Sequence, residues 1–228
     1  MPEKHDKVRK IKNLFNNCID TYRRLTKIDE RVIPIVSITV SEENCNNIEN
    51  IYNYLTNTCK IGSIKCTIVR DEGVYKTPHE KRLKIFEAYS WLTNKILEMT
   101  KNKKIRNYNL DSIQGKLHNK KDEISWELTK KMYLKPNYIS PCHAAGLFGI
   151  ITASGMVYPC EILEDKLLGN LRQNEMNFMK IWNNNNTMEA KNFIKKTNCN
   201  CTYECALTYN ILGNWRYQPK LINSFFNF

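Results

Sequence analysis

A chain of 228 residues can bury one large core or two small ones without covalent staples, and 42% apolar with 11% aromatic residues excludes a disordered chain. The net charge of +12 admits an anionic partner. Lys and Arg are nevertheless spread along the chain, so nucleic-acid binding is not favoured over solvated basic helix faces. No apolar run is long enough to span a bilayer, and residues 1–7 are polar, which sets the expectation of a soluble cytoplasmic protein without a secretory signal.

In chain order, residues 8–26 read as an amphipathic helix, with Val8, Ile11, Phe15, Cys18, Tyr22 and Leu25 at helical spacing. Val32 to Thr39 is a short β-branched run that suits a strand buried on both faces, although Pro34 removes a ladder donor. Ser41 stands at a helix N-cap position, and Ile48, Ile51, Tyr52 and Leu55 mark the face of the helix after it. Ile64, Cys66 and Ile68 alternate as a second strand that ends at Val69-Arg70. A loop over Asp71 to Pro78 leads into a long helix carrying Leu83, Phe86, Tyr89, Ile96 and Leu97. This order of helix, strand, helix, strand, helix is βαβ grammar, so the two strands should be parallel. Two strands alone would leave an open edge.

Residues 101–135 are polar, basic and helical in part, anchored by Ile124, Trp126 and Leu128; their densest basic stretch runs from Lys101 to Lys121. From Pro141 the character changes. Leu147 to Thr152, Ala153-Ser154-Gly155 and Met156 to Tyr158 read as a β-hairpin with positive φ expected at Gly155. Short helices follow around Phe178, Ile181 and Trp182 and around Ala190, Phe193 and Ile194, and the chain ends in an aromatic tail.

The cysteines carry the chemistry. The count of nine is odd, which argues against a closed disulfide framework. Cys18, Cys45, Cys59 and Cys66 are scattered and read as buried free thiols, which pack as small hydrophobes. Cys142, Cys160, Cys199, Cys201 and Cys205 cluster instead. A soft metal centre takes thiolates, a [4Fe–4S] cube usually takes four, and a hairpin with one cysteine entering and one leaving supplies two directions of approach. Structural zinc prefers closely spaced cysteine pairs, whereas Cys142 and Cys160 are single and far apart, so the spacing favours a cluster over zinc. His143, beside Cys142, is read as a satisfied histidine rather than a ligand.

At these residues the chain resembles the SPASM/twitch extension of radical S-adenosylmethionine (radical SAM) enzymes. Cys142, Gly155 and Cys160, the phrase Gly155-Met-Val-Tyr-Pro-Cys160, Leu168-Gly169-Asn170-Leu171 and Ile181-Trp182 carry the likeness, over residues 141–210. More weakly, His5-Asp6-Lys7-Val8-Arg9 is similar to the segment after the fourth barrel strand, and the strands ending near Ser41 and at Arg70 are similar to the fifth and sixth.

The resemblance implies an α/β fold (α+β overall). Residues 1–100 would be the C-terminal half of a partial (β/α)6 barrel, 101–140 a helical connector and 141–228 a small hairpin-plus-helices domain holding one auxiliary [4Fe–4S] cluster. It implies Cys142, Cys160 and Cys205 as ligands, joined by Cys201 or Cys199, and Arg70 as a contact for S-adenosylmethionine in a complete enzyme. In such enzymes a cluster gives an electron to S-adenosylmethionine, and the deoxyadenosyl radical formed abstracts a substrate hydrogen. The Cys-x3-Cys-x2-Cys motif that binds the cleaving cluster is absent here, as is the Gly-Gly-Glu segment. The expectation is therefore a C-terminal part, catalytically incomplete alone, partnered by a missing N-terminal barrel half or by a substrate peptide or small molecule. The alternatives are a non-catalytic iron–sulfur electron-transfer or partner module, and a zinc-stabilised basic nucleic-acid-binding protein.

Overall fold

The computed structural model describes residues 2–70, 77–135 and 138–225, and its chain divides into two units. The described part of the first takes in 2–69 and 78–119; that of the second takes in Arg70, Thr77, 120–135 and 138–225. The loop expected over Asp71 to Pro78 lies, apart from its last two residues, outside the described part, as do the last three residues of the aromatic tail.

In the first unit, the single helix expected over 8–26 is two: α1 (Pro2–Arg9) and α2 (Leu14–Ile28). Lys10 and Asn13 turn left-handed between them, at φ 56° and 60°. The Asp6 carboxylate accepts the Phe15 N–H at 2.8 Å, supplying one orphan donor of the new helix with an acceptor. That bond, and a second from its neighbour His5, hold the Asp6 pKa below the usual carboxylate value despite some desolvation. Phe15, Ile19 and Tyr22 of α2 are buried, whereas Val8, Ile11 and Cys18 are exposed.

The first strand, β1 (Val36–Val40), starts after Pro34 and pairs in parallel with β2 (Ile64–Ile68), Val36 opposite Ile64 and Val40 opposite Ile68. Between them run a 3-10 turn (Cys45–Asn47), α3 (Ile48–Asn53) and a π turn (Tyr54–Thr58). Ser41 does not cap that helix directly. It exchanges bonds with Asn44 in the preceding turn, its own N–H donating to Asn44 Oδ1 at 2.9 Å. The long α4 (His79–Lys101) packs along both strands and buries Ile85, Ala88, Tyr89, Leu92 and Ile96. The expectation that the first strand is buried on both faces is corrected: Ile38 and Val40 are buried, but Ser37 and Thr39 are exposed. Thr39 bonds across to Thr67 of β2 at 3.1 Å. Among the scattered cysteines, Cys59 and Cys66 are buried, Cys45 is only half-buried, and Cys18 points to solvent.

The outer side of β2 begins against a side chain rather than a third strand. Asn107 accepts from the Ile64 N–H and donates to the Ile64 carbonyl, both at 2.8 Å, as a neighbouring peptide would. Asn107 is itself 3% exposed, so its loss strands two buried backbone groups. Asn107→Ala is expected to lower unfolding stability by about 1–3 kcal/mol, measured by urea denaturation.

From residue 120, α5 (Ile113–Leu134) belongs to the second unit. There it buries Ile124, Trp126 and Leu128 as expected, together with an ion pair between Lys121 and Asp122. A three-stranded antiparallel sheet follows: β3 (Ile150–Ile151), β4 (Met156–Tyr158) and β5 (Gly169–Asn170), with β4 central. The hairpin is as expected, with Gly155 at φ +86°; the third strand was not legible. Arg172 holds the turn by donating to the carbonyls of Ser154 and Ala153 at 3.1 and 3.2 Å.

Two short helices, α6 (Phe178–Trp182) and α7 (Asn185–Lys196), start where Asn177 and Asn184 accept backbone N–H groups as N-caps. The last two, α8 (Glu204–Leu212) and α9 (Gln218–Asn223), were not expected. One core joins the loop before β3, the sheet, α6 and α7: Ala144, Ala145, Val157, Leu168, Leu171, Ile181, Ala190 and Ile194. No described helix is long and apolar enough to cross a membrane.

Candidate metal centre

Three cysteines from three separate segments pack against that one core: Cys142, Cys160 and Cys199. Each arrives differently. Cys142 precedes a tight loop in which the N–H groups of Gly146 and Leu147 both donate to the His143 carbonyl, at 3.0 and 2.8 Å. Ala145 in that loop is left-handed at φ 62° and fully buried, a conformation costing a residue with a Cβ about 1 kcal/mol. Cys160 follows β4 and Pro159. Cys199 lies three residues past the end of α7, its N–H on the Ile194 carbonyl at 3.1 Å.

The Cys142 pKa is lowered to about 6, chiefly through the neighbouring Cys199 thiol and then through the Ala144 backbone and the Asn210 side chain, against the cost of burial. The Cys199 thiol moves the opposite way, chiefly through Cys142; burial and the charge on Cys142 add to its rise, with Cys201 and Cys160 acting in the same sense. Burial also raises Cys160, partly offset by the N–H groups of Ile162 and Leu163 pointing at its sulfur, while the charges of Cys142 and Glu161 raise it further. Cys199 thus lies within electrostatic reach of Cys142, Cys160 and Cys201, and Cys160 within reach of Cys142. Cys205 is exposed in the first turn of α8.

A thiolate reacts faster than a thiol. In the metal-free, reduced protein at pH 7, iodoacetamide is expected to modify Cys142 ahead of Cys160 and Cys199. Because the Cys142 pKa is depressed, its advantage persists above about pH 6 and fades as the pH falls through that value. Mass spectrometry of the labelled peptides reads the order.

The surrounding side chains are engaged too. Arg70 stacks its guanidinium on the Tyr203 ring, 3.3 Å from the centroid, and sets Nη1 3.5 Å from Glu161 Oε2. It thereby touches the residue after Cys160 and the residue midway between Cys201 and Cys205. His143 donates its N–H to Asn210 Oδ1 at 2.8 Å, and its Nε2 is buried with no hydrogen-bond partner among the described residues.

Residues 139–206 match SPASM, the iron–sulfur cluster-binding domain family. The match spans both hairpin cysteines, Cys199, Cys201 and Cys205. No curated protein and no solved structure matches the chain.

The matched segment has the donor chemistry that an iron–sulfur centre needs. Cys142, Cys160, Cys199 and Cys201 are half-buried, and the first three sit on an apolar floor. Among the described residues no three Cys, His, Asp or Glu side chains stand at the spacing of one bound metal ion. Thiols from three separate segments on one apolar floor are the donor set that an iron–sulfur cluster takes, so the residues fit the group. Asn210 and Tyr203 in this environment were not picked out from the sequence. The available signal was an asparagine on α8 among the apolar Ala206, Leu207 and Ile211.

Proposed function

We propose that the protein holds one [4Fe–4S] cluster through Cys142, Cys160, Cys199 and Cys201, as the auxiliary-cluster domain of a radical SAM-type protein of the cytoplasm. The observation that carries this reading is the convergence of Cys142, Cys160 and Cys199, far apart in sequence, on one core. SPASM domains occur in radical SAM enzymes, which supports the wider assignment. The parallel pair β1–β2, backed by α4, is compatible with two strands of a (β/α)6 barrel over residues 1–100, with 101–140 as connector and 141–228 as the cluster domain. The motif likeness favoured Cys205 in the ligand set; the exposure of Cys205 and the action of Cys142, Cys160 and Cys201 on Cys199 favour Cys199 and Cys201 together.

A bound cluster would supply one-electron storage and transfer. The chain's part is to present deprotonated sulfurs, which the lowered pKa of Cys142 favours, and to shield them on the core that runs from Ala144 to Ile194. In this reading Arg70 belongs first to the cluster surroundings, through Glu161 and Tyr203; its contact with S-adenosylmethionine is a proposal for a complete enzyme only. The basic stretch offers a nucleic acid little, since Lys120 is paired with Glu123 and Lys121 with Asp122. The partner expected is a substrate peptide or small molecule.

Anaerobic reconstitution with iron and sulfide tests the proposal. A brown protein with about four irons and four sulfides per chain is expected. A colourless protein holding zinc would overturn it. With dithionite and S-adenosylmethionine these 228 residues should release no 5′-deoxyadenosine, because they contain no Cys-x3-Cys-x2-Cys motif.

A further inference from the structure

Cys142, Cys160 and Cys199 pack on the shared apolar core, whereas Cys201 is not among the described residues of that core. Residues 201–203 belong to no helix or strand, so side-chain contacts decide where that segment sits. Tyr203 makes such a contact. It is 6% exposed and stands at the N-cap of α8, its carbonyl accepting the Leu207 N–H at 2.9 Å. The Arg70 guanidinium lies over the Tyr203 ring, 3.3 Å from the centroid, and its Nη1 donates to Glu161 Oε2 at 3.5 Å. Glu161 directly follows Cys160. One guanidinium therefore ties the segment of Cys201 to that of Cys160. The ion pair is long and its partners are half-exposed, so the stack on a buried ring is the stronger half of this clamp. Arginine suits the place because its planar fork can stack by its face while its edge N–H groups donate.

We propose that Arg70 is a positioning residue that keeps Cys201 in the ligand set, by clamping Tyr203 to the segment of Cys160. The inference rests on the cluster reading above and deepens it: the apolar core seats three of the ligands, and a cation outside the matched segment 139–206 seats the fourth. Without the guanidinium the Cys201 thiol is still present, so a cluster still assembles, but the iron it holds is the least firmly held of the four. Mild oxidation exposes such an iron. Ferricyanide takes one electron from a [4Fe–4S]2+ cube, which releases one Fe2+ and is left as a three-iron [3Fe–4S]+ cluster, and the thiol that held the lost iron becomes free to react.

The test treats reconstituted wild-type, Arg70→Ala, Tyr203→Phe and Tyr203→Leu proteins with ferricyanide. It follows the three-iron signal by electron paramagnetic resonance, then alkylates the freed thiols with iodoacetamide and maps them by mass spectrometry. Arg70→Ala is expected to load about four irons and to form the three-iron signal roughly three- to tenfold faster than wild type, with the new label on Cys201. Tyr203→Phe keeps the ring and should match the wild-type rate, whereas Tyr203→Leu loses the platform and should match Arg70→Ala. A wild-type rate in Arg70→Ala overturns the proposal, as does a new label on Cys142, Cys160 or Cys199 instead of Cys201. A Tyr203→Phe rate as fast as that of Tyr203→Leu also overturns it, since the hydroxyl and not the stacked ring would then matter. Should Tyr203→Leu fail to fold, Arg70→Ala, at a half-exposed residue, decides by the same two measurements. Failure of the wild-type protein to take up iron, or labelling of Cys201 in the loaded wild type before oxidation, would instead sink the cluster reading or its ligand set.

Discussion

Replacing Cys142, Cys160 or Cys199 by alanine is expected to cut the iron held after anaerobic reconstitution from about four per chain to below one, and to abolish the broad visible absorption of the cluster. Each loss removes one iron's protein ligand at a site where the other thiols are already committed, and the apolar core residues beside it carry no donor atom to replace the sulfur. Cys201→Ala should behave in the same way, since Cys201 acts on Cys199. Cys205→Ser is the discriminating variant. It lies exposed on α8, and its replacement should leave iron content and spectrum near those of the wild type. Retention of iron in Cys199→Ala together with its loss in Cys205→Ser would reverse the ligand set and favour the one drawn from the motif likeness. Iron and acid-labile sulfide analysis on all five variants settles the choice.

Ile181→Ala is expected to be the most damaging substitution outside the cysteines. Ile181 is fully buried at the centre of the core that Cys142, Cys160 and Cys199 share. It rests directly on Gly169 of β5: a Cβ added there would come within 3.1 Å of two Ile181 carbons. Its carbonyl also accepts the Thr187 hydroxyl at 2.8 Å, tying α6 to α7. Truncation removes three methyl or methylene groups and leaves a cavity that a glycine neighbour cannot fill. The expected cost is about 2–5 kcal/mol, a large share of the roughly 5–15 kcal/mol by which a domain is stable. Urea denaturation followed by tryptophan fluorescence should show it, with Trp182 stacked on Phe178 as a reporter. Ile181→Val should cost only about 0.5–1.5 kcal/mol. The alanine variant should also load less iron, because the floor under all three sulfurs loosens together.

The amino-acid sequence by itself determined what depends on neighbours along the chain. The Ile64, Cys66 and Ile68 alternation is a period-two pattern, and it is the buried face of β2. The Cys142–Gly155–Cys160 spacing contains its own turn chemistry, because Gly155 reaches φ +86° without a Cβ to obstruct it. The helices at Phe178 and Asn185 follow from asparagines able to cap them. Even locally, periodicity misled at residues 8–26: apolar spacing continues through Lys10 to Asn13, while the backbone there turns left-handed.

Only the tertiary structure decided which thiols pack on the shared core, and these are Cys142, Cys160 and Cys199. Cys199 and Cys201 precede Cys205 by a few residues, so spacing ranks them nearly alike. Burial of Ala190 and Ile194 carries the end of α7 to Cys142, while α8 turns Cys205 outward. The bond from the His143 N–H to Asn210 and the stacking of Arg70 on Tyr203 likewise link residues far apart in sequence. Such contacts arise when separate apolar faces pack into one core, a fact about volume and burial that no window of consecutive residues contains.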